Sequence, residues 1–173
     1  MVEKKVLAFY YAWYGTPWGT GVLQEWAGWN IYGSDPEKVT RGRRESATPC
    51  FPLDGLYDSS SEYTIKRHIY QARQAGLDGF IVSWWGFPDR RKESAAKHPS
   101  IKSSDATLRK LLKMAPDGFD VTLYYETAEY GNKPVPQNVR EDLERIAKEY
   151  CGEPRWMKVN GRPVIVIYGR VMA

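Results

Sequence analysis

The chain has 173 residues, with 25 Lys and Arg against 21 Asp and Glu, 42% hydrophobic and 27% charged. That length accommodates one domain with its own core, residues 1–173, and the hydrophobic share excludes a largely disordered chain. No apolar run approaches the roughly 20 residues that cross a bilayer, so no membrane partner is expected.

The opening MVEKKVLAFYYAWYG is crowded with Tyr and Trp and lacks a small-residue cleavage pattern. It reads as structure, not as a signal peptide, and the expected location is the cytoplasm. Residues 6–11 are a short apolar and aromatic run suited to a buried strand. About 45 residues of Gly, Pro, Trp and charge follow, far more than a usual connection, and their aromatic content favours function.

Ser59 and Glu62 have capping-box spacing for a first helix, with Ile65, Ile69 and Ala72 on its apolar face and Gly76 as its stop. Residues 79–85, GFIVSWW, read as a second buried strand. A polar loop over 87–104 contains Asp89, Arg90, Arg91 and Lys92, and a short helix presenting Leu108, Leu111 and Leu112 ends before Pro116. The third strand covers 119–125 and stops at Glu126. After Pro134 and Pro136, Val139, Leu143, Ile146, Ala147 and Tyr150 recur at helical spacing, with Gly152 and Pro154 as the stop. Residues 163–168 read as a fourth strand behind a turn at Asn160 and Gly161.

Strand and helix alternating four times predict an α/β fold with a parallel sheet and right-handed crossovers. A complete (β/α)8 barrel takes roughly 250 residues. The expectation is therefore a TIM-type half barrel of four strands.

Ligands of such folds gather at the C-terminal strand ends. Here those ends carry Tyr11, Trp13 and Tyr14, then Trp84 and Trp85, then Tyr125 and Glu126, then Tyr168, with Trp18, Trp26 and Trp29 in the first loop. Pyranose rings present flat C–H faces and a rim of hydroxyls, which Trp and Tyr match with a broad apolar face and one polar handle. Glu126 is the best acid candidate. Asp58 is weaker, because it is placed to cap the first helix, as are Glu129, which reads as solvated, and Asp89, which reads as surface. Asp78 precedes its strand and reads as structural.

Glycoside hydrolysis ordinarily takes two carboxyl groups about 5–9.5 Å apart, and one convincing carboxyl is present. His68, His98, Cys50 and Cys151 lack metal-ligand or disulfide-framework spacing. With no phosphate loop or nucleophile elbow, neither a metal nor a cofactor is implied. The basic clusters at Arg41, Arg43 and Arg44 and at Arg90, Arg91 and Lys92 are short and flanked by acids. They read as solvated loops, not as a nucleic-acid surface.

The strand-end motifs FYYAWYG (9–15), LDGLYDSS and QARQAGLDGFIVSWWG within 52–86, VTLYYE (121–126) and YCGEPRWMKVNGRPVIVIY (150–168) resemble glycoside hydrolase family 99, the endo-acting α-mannosidases and α-mannanases. The resemblance implies a barrel whose cleft contains Trp84 and Glu126, with the FYYAWYG aromatics nearby. It also implies that the two catalytic glutamates come from later strands, beyond this chain, so that Glu126 binds substrate and no catalytic residue is assigned. The family's first loop carries a Lys and a His where Val22 and Glu25 stand here.

The expected function is thus a glycoside-hydrolase-like domain that binds mannose-type oligosaccharide or polysaccharide and is inactive alone. Tyr11, Trp13, Tyr14, Trp26, Trp84, Trp85, Tyr125 and Glu126 are its expected sugar contacts. The alternatives are a non-catalytic glycan-binding or polysaccharide-biosynthesis protein, and a half barrel that closes with a second copy or with a C-terminal half.

Overall fold

In the computed structural model, residues 4–90, 96, 98–126 and 135–169 are described. In chain order the elements are β1 (Leu7–Tyr11), β2 (Val39–Thr40), β3 (Arg43–Arg44), α1 (Glu62–Gln74), β4 (Gly79–Trp84), α2 (Pro99–Met114), β5 (Asp120–Tyr125), α3 (Pro136–Glu149), β6 (Lys158–Val159), β7 (Arg162–Pro163) and β8 (Val166–Ile167). The apolar and aromatic runs form one parallel sheet in the order β1-β4-β5-β8, with a helix in each of the three crossovers. Register runs Tyr11 to Ser83, Ser83 to Tyr124 and Tyr124 to Val166. At the start of β4, a Cβ on Gly79 would lie 2.0 Å from the Asp120 carbonyl oxygen, so only glycine fits this close approach.

Side chains alternate across the sheet with a period of two. Tyr10, Phe80, Val82, Trp84, Val121, Leu123 and Tyr125 face the helices and join Ile65, Ile69, Leu108, Leu111 and Ile146 in the core. Phe9, Tyr11, Ile81, Ser83, Thr122, Tyr124 and Val166 occupy the other face, where Phe9 is 50% and Tyr11 49% exposed. Ser83 and Thr122 on the same face are wholly buried, so the face is open along β1, and the first strand is not buried on both sides as its composition suggested.

Two buried aspartates anchor the core side. Asp105, on α2, accepts the Trp84 Nε1–H at 3.1 Å, the Tyr150 hydroxyl, and Arg109 Nε–H at 2.9 Å. Asp142, on α3, accepts the Tyr125 hydroxyl at 2.6 Å and Arg90 Nη1–H at 2.9 Å. Ala147, expected on the apolar face of that helix, is exposed, while Asp142 takes a buried position facing Tyr125.

Other boundaries also differ from the sequence reading. The first helix begins behind Ser61, not Ser59, which instead accepts the Tyr14 N–H and ties the first loop down. The second helix starts at Pro99, so it absorbs the end of the expected loop and buries Ile101, Ser103, Ser104 and Asp105. The run 163–168 divides between two elements. Asn160 and Gly161 (φ 51° and 75°) form the expected turn, which closes a β6–β7 hairpin, so Pro163 belongs there and only Val166–Ile167 joins the main sheet. Among the described residues no helix is long and apolar enough to cross a membrane, and Cys50 and Cys151 are free thiols.

Replacing Asp105 by Ala leaves three buried or half-buried donors without their acceptor. Asp105→Ala should lose about 3 kcal/mol of stability, read as a fall in the urea midpoint. Asp105→Asn, which keeps an acceptor oxygen, should lose less.

Candidate functional site

Alternation continues past the strand ends and decides which side chains meet. Ser83 lies on the open face at the end of β4, wholly buried, with its hydroxyl donating to Glu126 Oε1 at 2.6 Å. Ser83 Oγ in turn accepts the Trp85 Nε1–H at 3.2 Å. Glu126 is held in place by its backbone N–H, which donates to the Trp84 carbonyl at 3.1 Å, and it is 9% exposed. An indole, a hydroxyl and a carboxylate thus form one hydrogen-bonded row across two strands.

Aromatic rings flank the row on both sides. Trp13 lies 6.0 Å from Trp85, edge to face, and 4.8 Å from Tyr11. Tyr124 stands between Phe9 at 5.1 Å and Tyr168 at 5.6 Å. The first loop crosses beside Trp85 and encloses a cleft of about 430 Å³ with Trp13, Trp26, Asn30, Tyr32 and His98 on its walls. Trp26 is braced from behind by Trp18, at 4.8 Å, and by the Arg44 guanidinium, 5.5 Å from its ring centre. Tyr14 stacks on Trp29 at 4.0 Å, and Trp29, 1% exposed, forms the buried floor of the loop.

Electrostatically the face is quiet. Glu126 is the one carboxylate directly following a strand of the four-stranded sheet among the described residues. The Tyr124 phenol is pushed above its ordinary value, by desolvation first and then by the charges of Glu126, Tyr168 and Tyr11 beside it. No group of three His, Cys, Asp or Glu side chains is placed to hold a metal among the described residues.

Of the eight expected contacts, Tyr11, Trp13, Trp85 and Glu126 lie on or next to the open face, and Trp26 joins them across the cleft. Tyr14 sits at the loop edge, 6.3 Å from Trp13. Trp84 and Tyr125 are not with them. Both are 0% exposed and face the helices, because a residue adjacent to an open-face residue on a strand points the other way. The weaker acids are placed elsewhere. Asp58 accepts the backbone N–H groups of Gly21 and Ser60, Asp78 accepts that of Val6, and Asp89 pairs with Arg145. Glu129, Arg91 and Lys92 lie outside the described residues.

A family model described as glycosyl hydrolase family 99 matches residues 1–172. The chain belongs to this family. The glycoprotein endo-alpha-1,2-mannosidases of Mus musculus and Rattus norvegicus are 24% and 25% identical to it, over 93% and 94% of the chain. The chain spans 36% of the length of each. A solved family-99 endo-alpha-mannosidase from Bacteroides thetaiotaomicron superposes with a TM-score of 0.67 at 26% identity, over 97% of this chain and 46% of that one. A second structure of such an enzyme, in complex with bis-tris-propane, gives 0.64 at 26% identity and covers 42% of that chain. The four-stranded parallel sheet with its helices is accordingly a glycoside-hydrolase-like α/β fold of partial-barrel type.

Within this family-99 sheet, Ser83 and Tyr124 stood among the strand-end residues of the sequence and Phe9 within FYYAWYG, but neither they nor His98 were among the expected sugar contacts. The first three were legible in principle, since Ser83 is two residues before Trp85 and Tyr124 two before Glu126. His98 carried no signal, because its place on the cleft wall depends on where α2 begins.

The Glu126–Tyr124 pairing is measurable. Ionising the phenol next to a carboxylate is disfavoured, so the carboxylate raises its pKa. In Glu126→Gln that repulsion is gone, and one tyrosine should titrate at lower pH than in the unsubstituted protein. It should still titrate above its ordinary value, because desolvation remains. Ultraviolet titration of the phenolate band, compared with Tyr124→Phe, reads the shift.

Proposed function

We propose that this chain forms the sugar-holding side of a family-99 glycoside hydrolase site, binding mannose-type oligosaccharide or polysaccharide on its open sheet face. The observation that carries this is the Trp85–Ser83–Glu126 row beside Trp13. A flat ring stacks on the indoles while its hydroxyls reach a carboxylate already fixed by Ser83. The endo-mannosidase names of the relatives point to the same sugar class.

Binding rather than turnover is the expected activity of these residues. Protonating a leaving group and activating a nucleophile takes two carboxyl groups, and this face brings one. Glu126 holds substrate, and the hydrolytic pair would come from further βα units completing the barrel. The same observation that leaves the face open supports that completion. Among the described residues β1 is paired with β4 alone, and Phe9 and Tyr11 on it stand half exposed. Further strands, from a longer chain or from a second copy, would cover them.

Titration with manno-oligosaccharides should change tryptophan fluorescence with an affinity of order millimolar. Trp85→Ala should remove the response, whereas Trp84→Phe should leave the affinity within about twofold. Equal loss in both variants, or no response in the unsubstituted protein, would refute the reading. The purified chain should release no oligosaccharide from α-mannan.

A further inference from the structure

The cleft beside Trp85 is built more fully than the Trp85–Ser83–Glu126 row requires. Its far wall belongs to the first loop, with Trp26 and Tyr32, and its near wall to Trp13, Trp85 and the start of α2. Two backbone hydrogen bonds between Gly15 and Ala27, at 3.0 and 3.3 Å, tie the loop wall to the chain leaving β1. The enclosed volume, about 430 Å³, is within the range of small-ligand sites.

Tyr32 is the outlier of this wall. It is 92% exposed and has φ 56°, ahead of Gly33 at 83°, in a turn closed by the Ser34 N–H on the Ile31 carbonyl at 3.2 Å. Turn positions of positive φ are dominated by Gly, Asn and Asp, and a bulky side chain there stores backbone strain. The ring recovers little of that cost by packing, since it stands almost wholly in water. A strained, exposed aromatic on a cleft wall is suited to covering a ligand.

Trp26 is fixed from outside the cleft. Its indole N–H donates to Glu37 Oε1, just ahead of β2, and the Arg44 guanidinium of β3 lies 5.5 Å from its ring centre. Glu37 and Arg44 pair at 3.6 Å, and Arg44 Nη1–H donates to the Pro36 carbonyl at 2.8 Å. Across the cleft the Trp85 N–H donates to Ser83. With both indole donors engaged inside the protein, the two tryptophans offer the cleft ring surface. The polar edges come from Asn30, His98 and Ser100, and among the described residues no Asp, Glu, Lys or Arg lines it. An uncharged ring with apolar faces and a rim of hydroxyls matches such a lining.

We propose that this cleft is a second sugar subsite, with Trp26 and Tyr32 contacting the ring and Glu37 and Arg44 as positioning residues that act through Trp26. The inference rests on the open-face reading, because Trp85 lines the cleft and also belongs to the row that ends at Glu126. Rings held in the two places are neighbours in one glycan. The preferred ligand is therefore a chain of neutral sugars, not a monosaccharide.

The probes are methyl α-mannopyranoside and an α-linked mannotriose, titrated into isotope-labelled protein and followed by NMR at the Trp85 indole signal. The trisaccharide should bind about tenfold more tightly than the monosaccharide, and it alone should shift the Tyr32 ring signals. Tyr32→Ala and Trp26→Ala should each weaken the trisaccharide by about fivefold and leave the monosaccharide unchanged. Tyr32→Ala trims an exposed side chain, so the fold survives it. Glu37→Ala should weaken the trisaccharide likewise without lowering the urea midpoint, and Glu37→Gln, which keeps an acceptor for the indole, should restore it. A midpoint that falls, with no rescue by Gln, overturns the positioning role. Equal affinities for the two probes, or trisaccharide binding unaltered in both loop variants, would overturn the subsite and leave the open-face reading standing. Trisaccharide binding weakened in both loop variants but indifferent to Glu126→Gln would refute the open-face reading and leave the cleft as a site. No response to either probe overturns both.

Discussion

The direction in which the ends of the two central strands, β4 and β5, face is held by two buried carboxylates. A tryptophan N–H or a tyrosine O–H is buried without penalty only where an acceptor meets it. Asp105 supplies one to Trp84 and Asp142 one to Tyr125, each from the helix that follows that strand. With Trp84 and Tyr125 latched to the helix side, the next residues along the chain, Trp85 and Glu126, are directed to the other face. The aspartates are themselves charge-compensated. Arg109 bridges Asp105 to Glu149, and Arg90 reaches Asp142 from the loop after β4. Arg145 continues the network to Asp89 and lies over the Phe87 ring at 3.9 Å. Strand ends, helices and the second loop are thus tied into one network.

The first loop is organised by the four residues 58–61, Asp-Ser-Ser-Ser, just ahead of α1. Ser59 accepts the Tyr14 N–H, and its own N–H donates to the Tyr14 carbonyl, so the chain leaving β1 is clamped from both sides. Asp58 and Ser60 take the backbone donors of Gly21 and Val22. A long connection that would otherwise cost conformational entropy is held by backbone hydrogen bonds, and Trp29 beneath it donates to the Tyr57 carbonyl. This is why the loop can present Trp26, backed by Trp18, to the cleft beside Trp85 at a fixed position.

Much of this was readable in the sequence. The βα alternation, the positions of the three long strands and the aromatic strand ends follow from apolar runs and their punctuation. What was not readable has two physical causes. Adjacent residues in a strand take opposite faces, so SWWG and YYE each contain one open-face side chain among two look-alikes, and only the partners Asp105 and Asp142 settle which. Both aspartates sit in helices, where a charged residue reads as solvent-facing, so their role was hidden. The hairpin over 158–163 was misread for a different reason. A Pro-Val-Ile-Val-Ile-Tyr run has strand character throughout, but the tight turn before it uses its first residue locally and leaves a short strand for the sheet.

The open face is graded along the strands, and the gradient separates the two occupants proposed for it, covering strands and a sugar. Its lower layer, Phe9, Ile81 and Thr122 in register, is mostly apolar and contains no charge. The next layer, Tyr11, Ser83, Tyr124 and Val166, mixes hydroxyls with apolar surface. Beyond the strands stand Trp13, Trp85, Glu126 and Tyr168, each aromatic or charged with a polar edge. Protein packing suits the first layer, since buried apolar area is favourable wherever no polar group is stranded with it. A wet, hydroxyl-rich ligand suits the last, since its polar edges lose little by staying near water. A covering set of strands and a bound sugar therefore do not compete for the same layer, and a face built this way can use both at once.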